Sequence, residues 1–307
     1  MNKSMSSVSH ILSPARGAAL ALAVMAMAFA APSVQAQTSF TSGNLAVALA
    51  GASAVNTTAS IVEINTTSSL QTAVQTIALA SGSYRVSGSA TSTMYLANSA
   101  DGSLVALTVA KSSDTTANAN TLTSRGVITL NSSGTVANPA SWTGTSGQQT
   151  RCASSLDNSL WYIGDQNGIY TNGTTTAVVS GNYRGVKAFG SAVYASQASS
   201  TTTITQVGTI SGSSYTGLAG LSNNANAQDF YLIQSGANGS TFDILYVVSA
   251  TSNTAGSIAK FSLVSGSWTA NGTYTTTFGG FGLAAKKSGT GAELYVTTGQ
   301  GALTANS

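Results

Sequence analysis

Beyond the first 36 residues, apolar positions come in short runs separated by polar, glycine-containing breaks. The runs Leu45–Leu49, Ser60–Ile64, Val74–Leu79, Leu104–Val109, Leu160–Ile163, Ala192–Ala195, Ile244–Val248, Ile258–Leu263 and Leu294–Thr297 have strand length. Ser, Thr, Gly and Val dominate around them, and no stretch holds a 3.6-residue apolar period between caps, so helices are not predicted. The pairs Asp101-Gly102, Asn167-Gly168, Asn172-Gly173, Asn238-Gly239 and Asn271-Gly272 tolerate positive φ and suit hairpin turns. The pattern predicts an all-β chain. No linker or shift in composition divides residues 37–307, so one domain is expected there.

A degenerate repeat runs through the pattern: a turn, a small or polar residue, then Leu or Val leading an aliphatic or aromatic strand. It reads SGNLAVAL at 42–49, DGSLVALTV at 101–109, DNSLWYIGD at 157–165, GSAVYAS at 190–196, FDILYVVS at 242–249 and GAELYVTT at 291–298. Most of the steps between strand centres lie near the ~40–50 residues of a four-stranded propeller blade. Radial repetition also lets many short strands avoid bare edges without charges to guard them. The expectation is a β-propeller of roughly six to seven four-stranded blades. It is either incomplete at the C-terminus, or its last blade is completed by the strand near Leu45. A β-solenoid would repeat at about half that interval or less.

The stretches SADGSLVAL (99–107), RCASSLDNSLWYIGDQNGIY (151–170), RGVKAFGSAVYAS (184–196), DILYVV (243–248), GSIAKFSLVSGSW (256–268) and GAELYVTTG (291–299), with GNL at 43–45, follow one another in a familiar order. In these the chain resembles a group of secreted bacterial β-propeller repeat proteins of uncharacterised function, some with surface-sorting tails. The resemblance implies a propeller and an extracytoplasmic setting. It brings no catalytic residues. Family members usually continue beyond the Leu-Tyr-Val-Thr-Thr strand, whereas Ser307 follows soon after it here, and no sorting tail is carried over.

The N-terminus places Lys3 and Arg16 before an uncharged run, 17–31, too short for a comfortable membrane span. Val34-Gln35-Ala36 then offers small residues to a signal peptidase, so residues 1–36 read as a secretory signal cleaved before Gln37. Removing it leaves 9 of the 11 basic residues against 8 acids, a net charge of about +1. A near-neutral surface argues against nucleic acid and anionic membranes as partners. Location is expected to be secreted or periplasmic.

The one histidine, His10, lies within the signal, and Cys152 is the one cysteine. Ser-His-Asp and Cys-His catalysis are therefore excluded downstream, as are histidine-ligated and thiolate metal sites. Phosphate-loop and dinucleotide motifs are missing as well. The eight carboxylates are Glu63, Asp101, Asp114, Asp157, Asp165, Asp229, Asp243 and Glu293. Asp101 and Asp157 occupy equivalent repeat turns, which Asp favours through its own backbone bonds. No cofactor is implied. Calcium is the one ion the oxygens suit, with Asp157 and Asp165 as weak candidate ligands beside Asn158 and Asn167. Trp142 and Trp268, near Gly- and Ser-rich turns, are candidates for an exposed stacking surface. Arg151 and Arg184 begin two repeat motifs and are candidates to reach the propeller channel. N-x-S/T sequons follow from the Ser/Thr-rich composition and no glycan is assigned.

Repeat architecture without catalytic residues leads to one expectation: a non-enzymatic, exported binding or surface scaffold whose partner is a glycan or a cell-surface protein. The alternatives are a carbohydrate-active enzyme using paired carboxylates, and a Ser/Thr-rich adhesin with a β-solenoid fold.

Overall fold

A computed structural model of the chain describes residues 9–11, 38–67, 73–80, 82–90, 92–198, 204–221 and 224–298. The expected signal peptide and its cleavage site lie outside these residues. The exception is Ser9–Ile11, whose backbone pairs with Gly291–Thr298. All nine apolar runs form strands, with Leu79 and Leu160 one residue outside theirs, and the longest helical element among the described residues is a 3₁₀ turn at Ala119–Thr121. Among the described residues no helix is long and apolar enough to cross a membrane.

The strands form six antiparallel sheets that follow one another along the chain in a propeller-like arrangement, and no sheet closes on itself. Sheet I contains Leu45–Ala50, Ala59–Ile64 and Ala73–Ala78. Sheet II begins with two short pieces, Tyr84–Arg85 and Ala97–Asn98, both paired to Leu104–Lys111, and continues with Ser124–Asn131 and Val136–Thr143. Sheet III is Thr150–Ser155, Trp161–Asp165, Gly168–Tyr170 and Val179–Ser180. Sheet IV is Asn182–Phe189, Ala192–Ala198, Ile204–Ser211 and Ser214–Gly217, with Asn224–Ala225 at its side. Sheet V is Ala227–Ile233, Ile244–Ser252, Ala255–Val264 and Ser267–Thr276. Sheet VI pairs Gly280–Ser288 with Gly291–Thr298. The repeat seen in the sequence marks the second strand of sheets III to VI and the long strand of sheet II. The Ala46 copy instead lies in the first strand of its sheet.

Five apolar clusters occupy the five junctions between successive sheets. Ile61 and Leu107 belong to the I–II junction, Trp142 and Trp161 to II–III, and Cys152 and Val186 to III–IV. Phe230 and Trp268 belong to IV–V, and Val248 and Leu283 to V–VI. Each middle sheet thus buries both faces, and a buried Leu, Ile or Phe contributes about 1.5–3 kcal/mol. This is how a chain with so little charge is held together without a disulfide.

The turn pairs meet different fates. Asp101-Gly102 and Asn167-Gly168 close hairpins, while Asn172-Gly173 and Asn238-Gly239 sit in longer connections. Asn271-Gly272 lies within a strand, at a bulge opposite Ala259–Phe261, where Gly272 has φ +101°. There the left-handed backbone accommodates the extra residue rather than reversing the chain.

Candidate functional site

The first strands of sheets II to VI lie side by side and run in the same direction. The Tyr95 N–H donates to the Arg151 carbonyl at 2.9 Å, and the Ala100 N–H to the Ser155 carbonyl at 2.9 Å. The Ser154 hydroxyl donates to the Asn98 carbonyl (2.7 Å) and accepts from the Ala188 N–H (2.9 Å), joining three sheets through one oxygen.

Four of these strands carry an extra residue near their start, relative to the partner strand. The irregularities fall between Thr150 and Cys152, Tyr183 and Val186, Ala227 and Asp229, and Gly280 and Gly282. The bulges hold Arg151, Arg184 with Gly185, Gln228 and Phe281. A bulge bends its strand and re-aims the side chain it carries, so repetition of the fold brings these positions into one neighbourhood. Tyr95 completes it from sheet II, its phenol donating to Gln228 Oε1 at 3.4 Å.

Arg151 is 4% exposed, and its Nε and Nη1 have no hydrogen-bond partner among the described residues. Arg184 donates through Nη1 to the Ala227 carbonyl at 2.6 Å, while its buried Nε is likewise unpartnered among them. Burial lowers Arg151 to about 10, opposed by Tyr95 and reinforced by Arg184, so the group stays cationic at neutral pH. Burial also raises the Tyr95 phenol, which remains protonated.

The nearby acids are already neutralised. Asp165 is paired with the fully buried Arg125, whose Nη2 also donates to the carbonyls of Asn120, Thr145 and Gln148. Gly144 makes room for this: a Cβ there would lie 2.5 Å from the Arg125 guanidinium. Asp229 is paired with Lys187 at 2.7 Å, and both groups bond the backbone of Leu283. Burial pushes Asp165 and Asp229 up, against the pull of their cations. Two carboxylates thus face Arg125, Lys187, Arg151 and Arg184, leaving about two uncompensated positive charges, a surplus that an anion would neutralise.

The structure brings Arg151 and Arg184, which the sequence offered only as separate candidates, into one neighbourhood and separates the other candidates. Trp142 and Trp268 are not exposed stacking platforms. They are 3% and 5% exposed, and Trp142 packs against Tyr170 with ring centroids 6.5 Å apart. Both sit on inward-facing strand positions at sheet junctions, which the glycine- and serine-rich flanks conceal. Asp157 and Asp165 do not form a calcium site. Asp157 is spent on its own turn, accepting the N–H groups of Ser159 and Leu160 at 2.9 Å each, and these bonds hold it at about 2. Asp165 faces a guanidinium. Among the described residues no three His, Cys, Asp or Glu side chains come together to hold a metal ion.

The other carboxylates are also engaged. Asp101, Asp114 and Asp243 accept local backbone and hydroxyl bonds, Glu63 binds Asn44 and the Thr41 N–H, and Glu293 pairs with Lys286. The paired-carboxylate arrangement expected of a glycosidase has no counterpart in this geometry. Cys152 is buried, its thiol donates to the Val186 carbonyl, and burial pushes it up to about 12.

Sequence reasoning missed Tyr95, Gln228 and Lys187. Only Gln228 carries a signal, and it is positional: like Arg151 and Arg184 it lies near the start of a first strand and precedes buried apolar residues.

No protein-family model matches the chain, and no curated relative matches it, so the resemblance to a secreted repeat family is not confirmed. Among solved structures, the chain is similar to a provisionally named 6-phosphogluconolactonase from Bacteroides fragilis. That likeness has 13% identity and a TM-score of 0.44, and covers 87% of this chain and 89% of the other. A periplasmic gluconolactonase of Pseudomonas aeruginosa has 10% identity and a TM-score of 0.44 over 77% of this chain and 71% of that one. A second provisionally named 6-phosphogluconolactonase, from Bacteroides uniformis, has 11% identity and a TM-score of 0.41 over 81% and 73%. These names belong to hydrolytic enzymes. Against these names the expectation of a non-enzymatic binding scaffold is withdrawn.

Proposed function

We propose that this chain is a hydrolase that opens a cyclic ester of a sugar acid at the arginine-lined end of its first strands. The six sheets are read as blades around one axis, with the site at the end of that axis where the strands begin. The observation that supports this reading is the unpaired cation: Arg151 is buried, its Nε and Nη1 have no partner among the described residues, and Arg184 stands near it.

Lactone hydrolysis places negative charge where such groups are useful. Water adds to the carbonyl carbon, and charge gathers on the carbonyl oxygen. The ring C–O bond then breaks, the alkoxide takes a proton, and a carboxylate remains. Fixed guanidinium N–H groups stabilise both the oxyanion and the product. The attacking water gives up both of its protons: one replaces, through solvent, the proton that the Tyr95 phenol hands to the departing ring oxygen, and the other is released to solvent as the product acid ionises. A lactone is an activated ester, so this scheme needs neither histidine nor a carboxylate pair.

Sugar lactones are also the substrates carried in the names of the solved structures above, and they are the compounds to try first. The test follows acid release from glucono-δ-lactone and from 6-phosphogluconolactone in weak buffer, with spontaneous opening subtracted. Acceleration by the wild type that is lost in Arg151→Met supports the reading. Rates equal to buffer for both lactones remove it.

A further inference from the structure

We infer that a cavity at the opposite end of the first strands is a second ligand site, one that takes an uncharged sugar. The inference does not depend on the lactonase reading, because it rests on different residues. The cavity holds about 730 Å³ and is lined from sheets I, II, IV, V and VI. That volume lies within the usual range for small-molecule sites. It meets Lys187–Phe189, Tyr231 and Leu283, each further along its strand than the bulge positions Arg184, Gln228 and Phe281. The Lys187–Asp229 pair lies between the two ends.

The lining has the two kinds of surface a sugar ring presents in return. Phe189 is buried and holds an aromatic wall in place, edge-on to Tyr231 at 5.0 Å and tilted against Phe242 at 5.4 Å. Tyr231 and Phe242 are only half-buried and keep surface for contact with the apolar face of a pyranose. Amides stand along the rim. Asn98 is exposed, and its backbone pairs with Val105 and accepts from the Ser154 hydroxyl. Asn131 uses its Oδ1 on the N–H groups of Ser133 and Thr135, which leaves its Nδ2 to donate. Asn44 gives its Nδ2 to Glu63, which leaves its Oδ1 to accept. Donors and acceptors in this arrangement suit hydroxyls, which need both.

Charge decides against an acid or an amine. Lys187 is the one ionic side chain in the lining, and Asp229 neutralises it at 2.7 Å. A charged ligand entering here would lose its hydration with no counter-charge to meet it. The arginine end has the opposite character, so the two ends of one set of strands would sort ligands by charge.

The experiment titrates the purified full-length chain by calorimetry and saturation-transfer NMR with glucose, galactose, N-acetylglucosamine, maltose and cellobiose. At least one sugar is expected to bind in the millimolar range or tighter, about 1 mM corresponding to ordinary weak recognition. Phe242→Ala and Asn98→Ala should each weaken that binding roughly tenfold, while lactone opening per folded molecule, and in Asn98→Ala the melting temperature, stay as in the wild type. Asn98 is exposed, so its variant tests the site even if Phe242→Ala folds poorly. Absence of binding by all five sugars at about 10 mM, or binding untouched by Asn98→Ala and abolished by Arg151→Met, would overturn the inference.

Discussion

Lys187 and Asp229 meet at 2.7 Å across sheets IV and V, and each also bonds the backbone of Leu283 in sheet VI. One buried pair therefore ties three successive sheets at their first strands. Their side chains are 5% and 3% exposed, so either charge left alone would be stranded away from water.

Lys187→Met is accordingly expected to destabilise the protein by about 3–5 kcal/mol, because Asp229 keeps its burial and loses its cation. Adding Asp229→Asn should recover much of that loss. Urea unfolding of the single and double variants measures both. Additive losses would show that the two side chains act separately.

Arg151 gives the opposite expectation. Its Nε and Nη1 have no partner among the described residues, so Arg151→Met should leave the melting temperature unchanged or raised while abolishing lactone opening. Thermal unfolding followed by an activity assay checks this. A strongly destabilised variant would mean that the guanidinium has a structural partner instead.

Acid sensitivity should come from the turns. Asp157 is held at about 2 by the N–H groups of Leu160 and Ser159, against an ordinary value of 3.8, and Asp101 is lowered as well by its bonds to Ser99 and Ser103. A carboxyl depressed in the folded state adds stability above its unfolded value and loses it as pH falls towards the folded one. Melting temperature is therefore expected to decline from about pH 4 to pH 2, with a shallower decline in Asp157→Asn. Equal slopes in variant and wild type would assign the loss to other groups.

Cys152 is buried and its thiol is pushed up to about 12. It should resist a disulfide reagent in the native protein and react on unfolding in guanidinium. Stoichiometric labelling of the native chain at neutral pH would contradict its placement between sheets III and IV.

Trp142→Ala is expected to cost about 3–5 kcal/mol through the cavity left beside Tyr170 and Trp161, with lactone opening unaffected per folded molecule. Denaturant unfolding reads the first and a corrected specific activity the second.

The local pattern of the sequence determined a good deal. Short apolar runs, an absent helical period and repeated turn pairs are properties of neighbours along the chain, and all nine runs became strands. Asp101 and Asp157 were legible as turn residues for the same reason, since an Asx turn is closed within two or three positions. The first strands of sheets III to V were less legible. They are largely buried on both faces and mix small, polar and charged residues, so they show no alternation, and Thr150–Ser155 reads as anything but core. Trp142 and Trp268 misled because flanking glycine and serine describe the chain beside a residue and say nothing of the sheet above it.

Only the tertiary structure decided which charges meet. Arg125 finds Asp165, 40 positions away, and Lys187 finds Asp229, 42 away. At the start of the first strands those pairings leave Arg151 and Arg184 without a carboxylate among the described residues. Residues that far apart carry no local signal of their contact. Their meeting follows from the stacking of whole sheets, where the same bulge in successive first strands turns separated side chains toward one place.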